Sequence, residues 1–525
     1  MNPYDEVPYE SRAVPLSSID RIALHARLHG LETAAPDACR VLELGCAEGA
    51  NLLAMAFYLD ESTFVGVDAS RVQIDRGIEA RDRLGLDNLE LRCATFADVA
   101  EEEGEYDYII VHGVLSWIDA PGRALLLDTV RKRLAPKGVA YLSYNCSAGW
   151  SPKTEVRRLL LDRAGGVEDP TERVLRVREL LTLLASSPLR ETTSYGAMLA
   201  EHAASALDHR DSYLVHEYLS PHNHAFEYRE LLELTRAHGL GFFGELAEAS
   251  NVPGLEGQLR THLSERFEDP AQNEEILDLM VGRAFRASLF VCAEELPEVR
   301  ETIHETITDE LFFRAQLRPE DKRFSLDRDV AESFVAPGND AKLSARSHVL
   351  KATLFELGRA YPRALSFGQV IERANLLLEL RRVHAAGEQL SDDDIAGLRR
   401  DLLELCRLAH VEMALREPPF VADAGTTPRV SALTRLEAER DGFATSPRHT
   451  IVPLHAFARR LVSHLDGTRE RAELIARMRV HVQSGDVVIH KDPETKLEGE
   501  ELERALPELV ENGIGELAAA GLLTG

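Results

Sequence analysis

VLELGCAEGANL, residues 41–52, starts as an apolar strand carrying Glu43, turns through Gly45, Ala47 and Gly49, and enters a helix. Glycines at such a turn let the backbone bend tightly and come close to a bound molecule. Outward from it, between about residues 39 and 145, the chain alternates RVLEL, NLLAMAFYL, TFVGVD, RVQIDRGIEARDRL, LELRCA, YDYIIVHGV, ALLLDTVRKRL and GVAYLSY. Strands alternating with helices predict an α/β domain, a parallel sheet covered by helices, with its ligand outside the carboxyl ends of the strands.

The second strand, TFVGVD, ends in Asp68, nineteen residues after Gly49. A carboxylate there can accept hydrogen bonds from a ribose diol, so turn and aspartate together read as a nucleoside-cofactor site. As the dinucleotide pattern G-x-G-x-x-G the turn gives Gly45, Ala47 and Ala50, one glycine of three. As (E/D)-x-G-x-G-x-G it gives Glu43, Gly45, Ala47 and Gly49, a better fit. An acid before the first glycine would face a pyrophosphate with like charge and suits a cofactor carrying an amino acid and a sulfonium. A tight β–α turn without ligand is the competing reading.

Composition bounds the rest. A chain of 525 residues is too long for one core and predicts about three units. With 44% apolar and 28% charged residues it reads as an ordinary globular protein. No window approaches the roughly 18 apolar residues of a spanning helix, and MNPYDEVPYESRAVP has no apolar leader core, so membrane insertion is not expected and the cytoplasm is the expected location. Cys39, Cys46, Cys93, Cys146, Cys292 and Cys406 form no CxxC pair, which predicts reduced thiols and no zinc site. A net charge of −28 argues against nucleic acid as partner.

The domain boundaries expected are 1–153 for the cofactor-binding domain with an N-terminal lid, 154–296 for a helical regulatory or capping domain, 297–416 for a mixed α/β winged-helix-like domain, 417–435 for a linker and 436–525 for a C-terminal helical or winged-helix-like domain. RELLTLLASS, YGAMLAEHAASALDH and YRELLELTRAHGL carry the helical periodicity of the second. His216, His222 and His224 match no zinc spacing, so no metal is expected. The acidic C-terminal parts suggest protein contact rather than DNA.

Across nearly its whole length the chain resembles the class I S-adenosylmethionine (SAM)-dependent methyltransferases that carry a methyltransferase regulatory domain, a group including the rickettsial protein-lysine methyltransferases of outer-membrane proteins. The residues that carry the resemblance are YDEVPY (4–9), RVLELGCAEGANL (40–52), FVGVDAS (64–70) with Gln73 and Ile74, DYIIVHGVLSW (107–117), LAPKGVAYLSYN (134–145), Gly149-Trp150, VGRAFRASLF (281–290) and ARRLVSHLDGTRERAEL (458–474). The resemblance implies a Rossmann-like, mostly parallel seven-stranded sheet followed by helical and winged-helix-like domains, and SAM as cofactor. It sets Glu43, Gly45, Ala47 and Gly49 beside the methionine moiety, with Cys46 and Asn51 in the same cofactor-binding stretch. Asp68 falls on the ribose, Thr95 and Phe96 near the adenine, and His112 and Gly113 beneath the sulfonium. Tyr9, with Tyr4, would close a lid.

On this reading the fourth strand stops at the cofactor and the residues past it form the rim of the reaction site. Gly113 permits close approach. His112 can bond the cofactor or a backbone group, or take a proton from the nucleophile; a histidine satisfied by a neighbouring carbonyl is the alternative. Trp117, Tyr144 and Trp150 are the aromatic candidates for an acceptor pocket, and His112, Trp117 and Tyr144 are the expected catalytic residues. The chain departs from the family where HGVYSWVP reads HGVLSWID, where SYNTYPGW reads SYNCSAGW, and where Thr95 replaces an acid. The expected activity is methyl transfer to a protein side chain, a lysine amine, with the accessory domains selecting a protein or peptide substrate. Methylation of a small molecule or peptide, and a SAM-binding sensor without transfer, stay open. Nothing in the sequence sets an oligomeric state.

Overall fold

The computed structural model describes residues 11–246, 255–298, 303–321, 323–337, 342–421, 423–492 and 495–524. These divide into two units: 11–12 with 25–298, and 13–24 with 303–524.

The first unit is built on seven strands: β1 (Arg40–Leu44), β2 (Thr63–Asp68), β3 (Leu89–Cys93), β4 (Tyr106–Val111), β5 (Leu134–Asn145), β6 (Leu240–Glu245) and β7 (Phe285–Cys292). Their order across the sheet is β3-β2-β1-β4-β5-β7-β6. The first five run parallel, and β7 is antiparallel to both β5 and β6. The helices α1 (Ala50–Tyr58), α2 (Arg71–Leu84), α3 (Phe96–Ala100) and α4 (Ala120–Arg133) connect the parallel strands. Chain direction across the sheet reverses between β1 and β4, which opens a crevice at their carboxyl ends.

Alternation along the strands sorts the side chains onto two faces. Leu42, Leu44, Val67, Ile109, Val111, Leu142 and Tyr144 join Leu126, Leu127 and Val130 of α4 in one apolar core. By the same alternation Glu43, Asp68, Tyr141, Ser143 and Asn145 take the opposite face, as does His112 just beyond β4. Burial of the core leucines and valines contributes roughly 1.5–3 kcal/mol each.

Residues 154–296, expected to be helical, also return two strands to the sheet. The helices α5 (Ser147–Ala164), α6 (Pro170–Ala185), α7 (Ser194–Leu207), α8 (Asp211–Leu219) and α9 (Tyr228–Ala237) precede β6, and α10 (Leu255–Ser264) and α11 (Pro270–Val281) precede β7. The boundary expected at 153 falls inside α5. The strands return because β5 would otherwise present an open row of backbone donors and acceptors, and Phe285–Cys292 is apolar enough to be buried there. Val156, Leu160, Val177, Leu181, Ala203, Leu214 and Tyr218 form a separate core among α5–α8.

In the second unit, Phe312–Arg314, Leu365–Ser366 and Glu412–Ala414 make a three-stranded antiparallel sheet, with helices at His348–Ala360, Phe367–Leu380 and Asp392–Arg407. The stretch 417–435, expected as a linker, packs instead: Val430 is fully buried and Ser431 caps the helix Ala432–Arg440. Beyond it the helices Ala456–Val462, Arg471–Gln483 and Gly499–Ala519 surround a core of Leu461, Leu465, Leu474, Met478, Leu506 and Val510. A hairpin of His490–Asp492 and Thr495–Lys496 lies between the last two. Among the described residues no helix is long and apolar enough to cross a membrane.

Candidate functional site

The turn after β1 is folded against β2. The amides of Gly45 and Cys46 both donate to the carbonyl of Val67, at 2.8 and 3.1 Å, and that of Gly49 donates to the carbonyl of Cys46 at 2.8 Å. Gly45 has φ +81°, and a Cβ on it would lie 2.3 Å from Val114 Cγ2. Gly49 has φ +72° and Leu91 in the same relation at 2.8 Å. Ala47, where the family has glycine, also sits in the left-handed region at φ +53°, a conformation costing a non-glycine residue about 1–2 kcal/mol. Its amide donates to Asp68 Oδ2 at 2.9 Å, and the amide of Ser70 donates to Oδ1 at 2.8 Å. Asp68 is thereby fixed at the tip of β2. Cys46 takes part through its backbone: its buried sulfur lies 2.9 Å from where a Cβ on Gly66 would stand, toward the sheet.

Glu43 is only 4% exposed. The Asn51 carboxamide donates to its Oε1 at 3.1 Å, while Oε2 is buried with no partner among the described residues. Burial pushes its pKa up to about 8, against the hydrogen bond from Asn51, and Asp68 adds to the rise. A buried acid beside a second acid keeps its proton unless a cation comes close. At the end of β3, Thr95 caps α3 and shares a reciprocal pair of hydrogen bonds with Asp98, so its hydroxyl is already committed. Phe96 packs partly buried on the α4 core.

Past β4 the site changes character. The Tyr141 hydroxyl lies 3.1 Å from His112 Nδ1, with the two rings stacked and the Phe285 ring meeting His112 edge-on at 5.8 Å. Loss of solvent lowers the pKa of His112 to about 4, so the ring is neutral at physiological pH. Gly113, at φ +66°, donates its amide to Ser143 Oγ at 2.8 Å and has nothing within 4 Å of its missing Cβ. The Ser116 hydroxyl accepts from the Asn145 amide at 2.9 Å, the Ser116 carbonyl accepts from the His224 amide at 2.7 Å, and the Asn145 carbonyl accepts from the Phe226 amide at 2.8 Å. Trp117 meets Trp150 edge-to-face at 5.8 Å, and Lys153 Nζ stands 5.0 Å from the Trp150 ring.

The structure thus gathers Glu43, Gly45, Ala47, Gly49, Asn51 and Asp68 at one end of the crevice, and His112, Gly113, Trp117 and Trp150 about the tips of β4 and β5. Tyr144 is not among them. It is 2% exposed, bonded to Ser288 Oγ at 3.0 Å and packed on Phe226, because its odd step along β5 turns it into the α4 core. Tyr4 and Tyr9 lie outside the described residues, although the Ser11 hydroxyl accepts from the Ala50 amide at 3.3 Å, at the start of α1. Sequence reading passed over Tyr141, Ser143 and Asn145, whose signal was the two-residue spacing along GVAYLSYN. His216 is buried in α8 and His224 bonds Glu230 at 2.7 Å; among the described residues no three His, Cys, Asp or Glu side chains are placed to hold a metal.

Three family models match the chain: a methyltransferase domain over residues 36–163, a predicted methyltransferase regulatory domain over 210–292, and the C-terminal winged helix domain of PKMT over 427–522. Two uncharacterized proteins of Rickettsia prowazekii are similar to it. RP789 is 26% identical over 99% of this chain and 94% of its own, and RP028 is 30% identical over 44% of this chain and 92% of its own. The structure of PKMT2 from Rickettsia typhi in complex with AdoHcy shares the fold, with a TM-score of 0.85 at 22% identity over 99% of this chain and 100% of that one. The acidic turn, the mostly parallel seven-stranded sheet and the three consecutive matches lead to one conclusion: the chain belongs to the class I SAM-dependent methyltransferases that carry a regulatory domain and a PKMT-type C-terminal winged helix.

Proposed function

We propose that this methyltransferase acts on a protein, at the amine of a lysine side chain, with the domains after the catalytic sheet selecting the substrate. The observation that carries the reading is the division of the site into an acidic end and a neutral, aromatic end, in a chain whose residues 427–522 match the PKMT winged helix. The PKMT2 structure from Rickettsia typhi, of like fold, was solved with AdoHcy.

The residues fit SAM. Glu43, whose Oε2 has no partner among the described residues, and Asn51 suit the ammonium of its methionine part, Asp68 suits the ribose diol, and the Gly45–Gly49 turn lets the backbone lie close. With the Thr95 hydroxyl committed to Asp98, packing against Phe96 is the contact left for the adenine. Bound SAM supplies a methyl group on a cationic sulfur, open to in-line displacement.

The chain's own task is to present an unprotonated amine. A lysine ammonium, with an ordinary pKa of about 10.4, has no lone pair. The Trp117–Trp150 pair, by excluding water, disfavours the charged form and lowers that value. His112, near pKa 4, is too weak a base to take the proton from an ammonium; it leaves to solvent before the amine enters, and His112 acts as a neutral wall held by Tyr141. The relatives are bacterial, and six free cysteines suit a reducing cytoplasm, where we set the activity.

Tritiated SAM incubated with the protein and a bacterial lysate tests this. A labelled protein band whose hydrolysate contains methyl-lysine is the expected result. Label confined to small molecules turns the reading to a metabolite methyltransferase, and no label at all turns it to a SAM sensor.

A further inference from the structure

Three polar side chains stand two residues apart on one face of β5: Tyr141, Ser143 and Asn145. The first two each hold a residue just past the end of β4, Tyr141 reaching His112 Nδ1 at 3.1 Å and Ser143 accepting from the Gly113 amide at 2.8 Å. Asn145 lies one step further, roughly 6.6 Å along the strand, opposite Phe285 of β7, whose ring touches His112. It is 8% exposed, and its carboxamide nitrogen is buried with no partner among the described residues. Its backbone is committed on both sides, the amide to Ser116 Oγ and the carbonyl to the Phe226 amide. Only the side chain is left over, at the tip of the strand where the acceptor must arrive. A buried amide group without a partner is destabilising, and an apolar residue of the same shape would remove that cost.

Resting on the proposed lysine acceptor, we propose that Asn145 contacts the acceptor itself, its carboxamide hydrogen-bonding the incoming amine and setting the direction of the amine's lone pair. A carboxamide turns about its last bond to offer either end. Toward a nitrogen that must keep its lone pair for the methyl carbon, the oxygen serves, accepting one N–H. The nitrogen–carbon bond forms as the carbon–sulfur bond breaks, sulfur keeps the bonding pair, and the methylated ammonium then loses a proton to water. Tyr141 and Ser143 set the rim residues in place, and Asn145 sets the nucleophile.

The test compares wild type with Asn145→Ala and Asn145→Leu by tritium transfer from SAM into lysate protein, AdoHcy affinity by calorimetry, and melting temperature. The expected result is a loss of turnover of about 30–100-fold, the size of effect a small misalignment of reacting atoms produces, with AdoHcy affinity within twofold and Asn145→Leu melting at or above the wild-type temperature. Asn145→Asp, whose charge favours the ammonium form, moves the pH–rate profile to higher pH. If wild type labels protein and Asn145→Ala labels it equally, the proposal falls alone. If both variants lose melting temperature and AdoHcy binding together, Asn145 is structural and the proposal falls. A wild type that labels nothing overturns this proposal together with the lysine reading.

Discussion

At the start of β7, Arg283 and Arg286 are each 1% exposed and share the carboxylates of Glu245, Glu256, Glu274 and Asp278. Three strands across the same sheet, Glu43 is nearly as buried but, among the described residues, meets a single amide on one of its two oxygens. In the first cluster the geometry is closed. Arg283 Nε lies 2.7 Å from Asp278, Arg286 bonds Glu274 at 2.8 Å and Glu245 at 3.1 Å, and Glu245 also accepts from the Ala287 amide and the Ser288 hydroxyl, both at 2.8 Å. The Arg283 carbonyl accepts from the Gly149 amide and the Ala284 carbonyl from that of Cys146, tying the network to the segment that carries Trp150. In the second cluster an oxygen is left over. Buried ions that satisfy one another hold a scaffold, whereas a buried acid with an open valence awaits something from outside the chain.

Removing a partner from the closed cluster should have the largest effect. Arg283→Met removes the fully buried cation shared by Glu256 and Asp278, with Arg260 at 3.6 Å left to Glu256 and Arg286 left to Asp278 among the described residues, and should cost about 3–5 kcal/mol in urea unfolding; a loss under about 1 kcal/mol would mean that water reaches the cluster and the contrast with Glu43 is false. Next comes Asp68→Ala, which removes the acceptor of the Ala47 and Ser70 amides and should weaken AdoHcy binding at least 100-fold by calorimetry while the protein stays folded. Unchanged binding would break the assignment of the open cluster to the cofactor.

Glu43→Gln sharpens the comparison through pH. Because the folded state raises this carboxyl to about 8 from an ordinary 4.5, the folded protein holds a proton that the unfolded chain has released. Its contribution is complete below about pH 4.5 and is lost as pH rises through about 8. The unliganded wild type should therefore lose melting temperature across that window, and Glu43→Gln should lose less. A cationic ligand favours the ionised acid, so binding near pH 7 should release a proton that the glutamine variant does not, measured by calorimetry in buffers of different ionisation enthalpy. Equal proton counts would leave Glu43 without a role in charge recognition. The smallest effect is expected from Ala47→Gly, which relieves the left-handed alanine and should stabilise by about 0.5–1 kcal/mol.

The first half of the sheet was legible because its signals are local. VLELGCAEGANL and TFVGVD hold strand, turn and acid within a few residues each, and the hydrogen bond from Ala47 to Asp68 joins two features already marked in the sequence. β6 was hidden: Leu240–Glu245 follows directly on the helical pattern of α9, is broken by glycines, and is irregular in its pairing between Phe242 and Gly244. The choice between Tyr144 and Asn145 could not be read from composition either. An aromatic residue is the natural candidate for a pocket wall, yet one step along a strand exchanges the core face for the site face, and only the fixed register of β5 decides which is which. The roles of Tyr141 and Ser143 depend on a neighbouring strand's end, and the open oxygen of Glu43 on which side chains of the described residues come close in space; neither leaves a mark in the local pattern.

The late return of β7 carries a consequence for synthesis. β5 is complete at Asn145, but the strand that covers its outer edge begins about 140 residues later, at Phe285. At the usual pace of roughly 5–20 residues per second, a ribosome leaves that edge bare for about 7–28 seconds. The helices α5–α11 are made in the meantime, so early packing of α5–α8 into a core of their own would shield the nascent sheet from other chains until its closing strand emerges.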